Sequence, residues 1–275
     1  MNGPVAQIVA LTCHGNAFLR GHAAGPFFPS NSTCQFCECV RFATPERRIL
    51  GKPKETMAAE SPDAWFAELK SRDARGIRLF RTPENRPGFS DRILAGLAGG
   101  GGAWTAEVLL RGGRSEFWTA RWEVQDRNAP DRRIWRVTYV RVSEGKPYPA
   151  KPMELGEATR ELAQILKRVR AFSARMALDW FTKSFDEALD TIETKGNPPH
   201  GFHRDLAPPG FPSEEASALL DACQKAWVFG GMGSWNDLGF TGDDQKEYER
   251  VSERLFETVN HAIEMAASST APPVP

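Results

Sequence analysis

Two segments between residues 103 and 124 alternate with a period of two, and they constrain the fold more than anything else in the chain. In AWTAEVLLRGG, Trp104, Ala106, Val108 and Leu110 share one side, while Thr105, Glu107 and Arg111 share the other. In EFWTARWEV, Trp118, Ala120, Trp122 and Val124 oppose Phe117, Thr119, Arg121 and Glu123. This is the pattern of strands with one buried face, and Gly112-Gly113 between them is a tight hairpin signal. A third run at 133–142, after the turn-forming RNAPD, alternates less cleanly, as a strand covered on both faces does. The reading is a three-stranded antiparallel meander at about 103–142 with its tryptophans in the core. On that reading Trp122→Ala should cost ~3–5 kcal/mol, as truncation of a buried aromatic does.

Residues 5–11 (VAQIVAL) and 33–42 are expected to extend the sheet, with 45–60 a polar loop between elements. Ser61-Pro62-Asp63 combines a capping hydroxyl, a proline at the first helical position and an acid at the positive end of the dipole, so a helix should run from there to about Arg72. A short strand at 77–81 and a short helix at 91–98 follow, the latter closed by the glycines of 99–102.

Beyond the proline-containing connector 146–153 the period changes. Leu155, Ala158, Leu162, Ile165, Val169, Phe172 and Met176 step by three and four, which is a helical stripe. Phe181, Phe185, Ala188 and Ile192 form a second stripe out of phase with the first, so the helix breaks near Asp179. Ser213-Glu214-Glu215 opens another helix, and Thr241 or Asp243 caps a last one with Tyr248, Val251, Leu255, Val259 and Ala262 inward. Strands first and helices after is an α+β arrangement: an N-terminal, mostly antiparallel sheet packed against a C-terminal helical bundle. The expected division is a β-rich region 1–150 with one or two short helices, a helical region 151–267 and a disordered tail 268–275. The two regions could equally share one integrated core.

Charge follows the same division. Residues 1–150 carry 22 basic and 15 acidic side chains, and the remainder 13 and 20, so the halves have net charges of +7 and −7 in a neutral chain. That balance argues against a protein that is basic throughout. The N-terminus lacks the basic and apolar regions of a signal peptide, and no stretch approaches the ~20 apolar residues of a membrane span. Five cysteines, mostly at one end, do not make a disulfide framework. The expected setting is soluble and cytoplasmic.

Three of those cysteines lie in STCQFCECV. Cys34, Cys37 and Cys39, with Cys13 or His14, could supply four zinc ligands. No glycine follows the C-x-x-C pair to turn the chain, however, and in a strand Cys34 would point away from Cys37 and Cys39. They read as packed strand residues, and no metal or cofactor is expected.

The connector GNPPHGFHRDLAPPGFP (196–212) carries His200, His203, Arg204 and Asp205 between two helices. Loops of this length often carry function, and this one reads as exposed, so His203→Ala should leave stability nearly unchanged. A second glycine-dense loop, 229–244, holds Ser234, Trp235 and Asp237 but matches no phosphate or nucleophile motif, and Trp235 is expected to plug a gap there.

Residues 111–151 hold ten Lys/Arg against five Asp/Glu among aromatics, with Arg111, Arg121 and Arg141 as candidate phosphate contacts. The leading functional reading is a binding or protein-interaction protein, with a protein partner or a second copy of the chain as the expected partner. The alternatives are a hydrolase-like enzyme with a site assembled from 196–212 and 229–244, and nucleic-acid binding through 111–151.

Overall fold

The computed structural model describes the chain except for residues 23–24, 47–53, 85–87, 89, 98–99, 150–153, 197–200 and 274–275. Its order is α1 (Gly3–Leu19), a 3₁₀ turn (Ser32–Cys34), β1 (Cys37–Glu46), β2 (Lys54–Ala59), α2 (Pro62–Ser71), β3 (Gly76–Thr82), α3 (Asp91–Leu94), β4 (Ala103–Leu110), β5 (Arg114–Val124) and β6 (Trp135–Gly145). The helices α4 (Leu155–Arg175), α5 (Asp179–Glu193), α6 (Glu214–Ala226) and α7 (Gly242–Ser268) complete it, with a second 3₁₀ turn (Trp235–Asp237) before α7. The six strands form one sheet in the order β2-β1-β6-β5-β4-β3. Only β1 and β6 run parallel; every other pair is antiparallel. This is an α+β fold with the meander where the alternation puts it.

The strand expected at 5–11 is the first half of α1. Asn2 caps the helix by accepting the Val5 amide at 3.0 Å, and proline follows in the first turn. Every residue from Val5 to Cys13 is buried, so the helix has no polar side and shows no helical stripe. A short apolar run buried all round cannot be told from a strand by periodicity. The polar segment 45–60 likewise yields β2, whose exposed side chains hide its pairing with β1.

The inner face of the sheet carries Val40, Phe42, Ile77, Leu79, Trp118 and Tyr139, all buried. Over it lies α2, whose Trp65 stacks on Phe42 at 4.2 Å and meets Trp118 edge-on at 5.6 Å. Beside α2 lies α1, whose Gln7 Oε1 accepts from the Tyr139 hydroxyl. At Gly15 the helix passes so near β3 that a Cβ would stand 2.5 Å from Ile77 Cδ1.

Side chains close the outer edge of β3. Asn16 bonds both the N–H and the C=O of Ile77, Ser268 does the same for Leu79, and Glu264 accepts the Arg81 amide. On the other face of the sheet a buried ion pair, Arg78–Glu107 at 2.6 Å, is roofed by Tyr148.

Among the described residues, α4 packs on α5 and α7, α5 on α6, and α6 on α7, which also reaches β3. The break before Asp179 separates α4 from α5 as the phase change requires. Trp235 is fully buried among Phe181, Phe185, Phe172 and Tyr248 and donates to Ser252 at 2.7 Å. One continuous apolar core runs from the sheet into the helices. The tail expected to be disordered is packed as far as Ala271: Ser268, Thr270 and Ala271 are buried, and Thr270 accepts from Asn16 at 2.8 Å.

Candidate functional site

The densest meeting of chemistry-capable groups joins three distant parts of the sequence: His14 on α1, Asn31 and Ser32 at the first 3₁₀ turn, and His203 and Asp205 between α5 and α6. The Asp205 carboxylate accepts the Ser32 amide at 2.6 Å and the Ser32 hydroxyl. Its backbone carbonyl accepts His14 Nε2 at 2.9 Å and Asn31 Nδ2 at 2.8 Å. Ser32 Oγ also lies 2.7 Å from His203 Nδ1. The single hydroxyl proton goes to the carboxylate, so His203 Nδ1 carries the proton of that bond and donates it to Oγ. Gln224 of α6 then holds the His203 backbone at both ends, Oε1 accepting its N–H at 2.8 Å and Nε2 donating to its C=O at 3.1 Å.

His203 is only 6% exposed, which overturns the expectation of a free loop. The prolines of 196–212 read as a spacer, whereas the polar residues between them pin the segment down. Burial lowers the pKa of both His14 and His203, and the nearby Asp205 opposes the shift. Both rings are therefore held toward the neutral form.

The backbone N–H groups around Ser32 are committed. That of Ser32 goes to Asp205, those of Thr33 and Cys34 to Asn31, and that of Gln35 to Ser32 itself. None is left beside Ser32 Oγ to receive the negative oxygen of a tetrahedral intermediate, which is what acyl transfer requires. The arrangement is that of a latch. Ser32 and Gln224 were missed in the sequence because each is defined by a partner more than twenty residues away in chain order or more.

The cysteines do not lie in one strand. The Asn31 side chain accepts the Thr33 amide at 3.0 Å and so folds Ser32–Cys34 into the 3₁₀ turn. As a result Cys34 and Cys37 turn toward the same group, their sulfurs 3.9 and 3.4 Å from Gln7 Nε2. Burial pushes the Cys34 thiol up to about 12 and Cys37 to about 11, and Cys13 on α1 likewise to about 12. Cys39 is half-buried. All five cysteines are free, and among the described residues no group of three or more His, Cys, Asp or Glu side chains is arranged to hold a metal ion.

The remaining candidates scatter. Asp237 accepts the amides of Gly233 at 2.6 Å and Ser234 at 3.2 Å, capping its own turn, while Asn236 bonds Arg92 of α3. The 229–244 segment thus faces α3 and α7. Arg121 pairs with Glu55 and Glu123, Arg141 with Glu116 and Glu144, and Arg111 stands 3.6 Å from Asp73 at a turn. Arg204 is exposed, and His200 lies outside the described residues.

Two of the concave surfaces are flanked by tryptophans. One, of about 260 Å³, opens between the first turns of α1 (Asn2, Pro4, Val5) and the sheet, and is walled by Trp104 and Trp122 with Glu84 at its margin. The other, of about 330 Å³, runs between α5 and α6 and is lined by Trp180, Lys183, Glu187, Gln224, Lys225 and Trp227. Trp180 had a legible signal: it lies off the buried α5 stripe of Phe181, Phe185 and Ala188, where a helix normally shows water a polar side chain.

Comparison with protein-family models, with curated proteins and with solved structures finds no match to this chain. No described helix is long and apolar enough to cross a membrane.

Proposed function

We propose that the protein is a non-catalytic binding protein, and that the groove between the start of α1 and the ends of β4 and β5 holds its ligand. The observation that supports this is a contrast between tryptophans. Trp118 is sealed under α2, while Trp104 and Trp122, on the same face of the sheet, stay half-buried around a concavity. Ligand sites are typically concave, largely apolar and furnished with a few polar groups. Here Pro4, Val5, Ile8 and Ala120 supply the apolar part, and Asn2, Thr119 and Glu84 the polar margin. Cytoplasmic residence belongs to the same reading, since five free thiols suit a reducing compartment.

The test is a fragment screen followed through the indole N–H resonances of the eight tryptophans. Fragments should move the Trp104 and Trp122 resonances together, and Trp104→Ala should abolish that response. Hits that leave both indoles unmoved would reject the groove.

A second reading, hydrolysis at Ser32, draws on one observation: a half-buried hydroxyl between an imidazole and a carboxylate. The committed amides weigh against it. A fluorophosphonate probe decides between them: the binding reading expects Ser32 to stay unlabelled in the native protein, and stoichiometric labelling lost in Ser32→Ala would install the enzyme instead.

A further inference from the structure

A large apolar side chain facing water is informative where it belongs to a patch with others, and not where it stands singly. Trp180 is 67% exposed in the first turn of α5, and Phe202 is 80% exposed beside the latch. The Phe202 backbone is fixed on both sides. Gln224 grips the next residue, His203, through two hydrogen bonds. The preceding residue, Gly201, passes so near α6 that a Cβ there would stand 2.2 Å from Gln224 Nε2. The Phe202 ring rests edge-on against His203, with centroids 4.9 Å apart.

Gln224 is the common member of two surfaces, because it also lines the α5–α6 groove that Trp180 and Trp227 flank. The groove and the Phe202 segment therefore border one another across a single side chain. The charges are uneven. Lys225 in the groove is neutralised by Glu187 at 2.6 Å. Among the described residues no carboxylate pairs with exposed Lys183 in the groove, nor with exposed Arg204 two residues past Phe202.

We infer that this surface docks an amphipathic helical segment of a second protein, with apolar side chains entering between Trp180 and Trp227 and carboxylates meeting Lys183 and Arg204. A groove between two helices is a natural seat for an amphipathic helix. Tryptophan and arginine are the residue types that most often anchor such contacts, and backbone held in place beforehand loses little freedom on binding. The latch thus gains a role: His14, Ser32 and Asp205 hold Phe202 and Arg204 in position without touching the partner, and Gln224 ties that segment to the groove wall. Single-stranded nucleic acid is disfavoured, because it needs a continuous basic track for its phosphates, and among the described residues the groove offers Lys183 alone as an unneutralised cation, Lys225 being paired with Glu187.

The experiment places a photo-crosslinking phenylalanine derivative at position 180 of the full-length chain in its native cell, identifies the crosslinked segment, and measures its binding to the purified protein. The expected result is a protein segment with an apolar helical stripe and flanking acids. Its affinity should fall at least tenfold in Trp180→Ala and several-fold in Lys183→Glu and Phe202→Ala, with melting temperatures unchanged. Asp205→Asn should weaken it less, through loosening of the segment. Crosslinks only to another copy of this chain, only to nucleic acid, or to nothing would overturn the inference, as would a partner bound equally well by Trp180→Ala. None of these outcomes depends on the Trp104–Trp122 groove.

Discussion

The middle and the C-terminal end of β5 carry tryptophans on the same face and treat them oppositely. In the middle of the strand Trp118 is fully enclosed, edge-on to Phe42 at 6.0 Å and to Trp65 at 5.6 Å. Near the C-terminal end Trp122 leans edge-on against Trp135 at 5.9 Å and lines an open groove. Alternation assigns both residues to the same side of the sheet and says nothing about what lies above them. Cover comes from elsewhere in the sequence: α2 brings an aromatic ring down over Trp118, while the first turns of α1 face Trp122 across an open groove.

The most direct way to break this comparison is to truncate both. Trp118→Ala should cost ~3–5 kcal/mol, because a sealed aromatic leaves a cavity. Trp122→Ala should cost less, ~1–2 kcal/mol, because only part of its surface is removed from water. This lowers the value expected from alternation alone, and equal losses in urea denaturation would mean the groove is closed in solution. The opposite face offers a matched control. Arg78→Met leaves Glu107 buried without its cation and should cost ~3–5 kcal/mol; a near-neutral result would show that water reaches the carboxylate beneath Tyr148.

Smaller effects are expected at the latch. Asp205→Asn removes a charged acceptor from the Ser32 amide and should cost ~1–3 kcal/mol, with His203→Ala about 1 kcal/mol, both read as shifts in denaturant midpoint. A neutral Asp205→Asn would mean that the 201–211 segment is free in solution. The smallest effect is on pH. The folded pKa of His203, like that of His14, lies below the ordinary histidine value, so the unfolded chain takes up protons first as pH falls through ~6.5. Stability should be complete well above that value and decline as pH falls through it, and the decline should be shallower in His203→Gln. An unchanged slope would remove His203 from the linkage.

The sequence made the fold class and the meander legible because their signals are local: a period of two, a glycine pair, helical stripes, and the capping serines of α2 and α6. It misread α1, where burial on every side erased the helical period, and β2, whose exposed side chains gave no alternation. His203 and Asp205 stood out in the sequence as residue types. Their roles depend on Ser32 and Gln224, and a contact spanning 173 residues leaves no trace in spacing. The position of Trp180 was readable, since a tryptophan off a well-formed stripe is visible without any structure.

The plugged edge of β3 also governs how copies of this chain could associate. Pairing through sheet edges requires free backbone groups, and Asn16 and Ser268 already occupy both of those of Ile77 and Leu79, while Glu264 takes the Arg81 amide. The exposed edge strand at the far side is β2. A molecule with one usable edge is a chain terminator: two copies can join β2 to β2 and the growing sheet then ends at β3 on both sides, so edge pairing yields a closed pair and never a fibre.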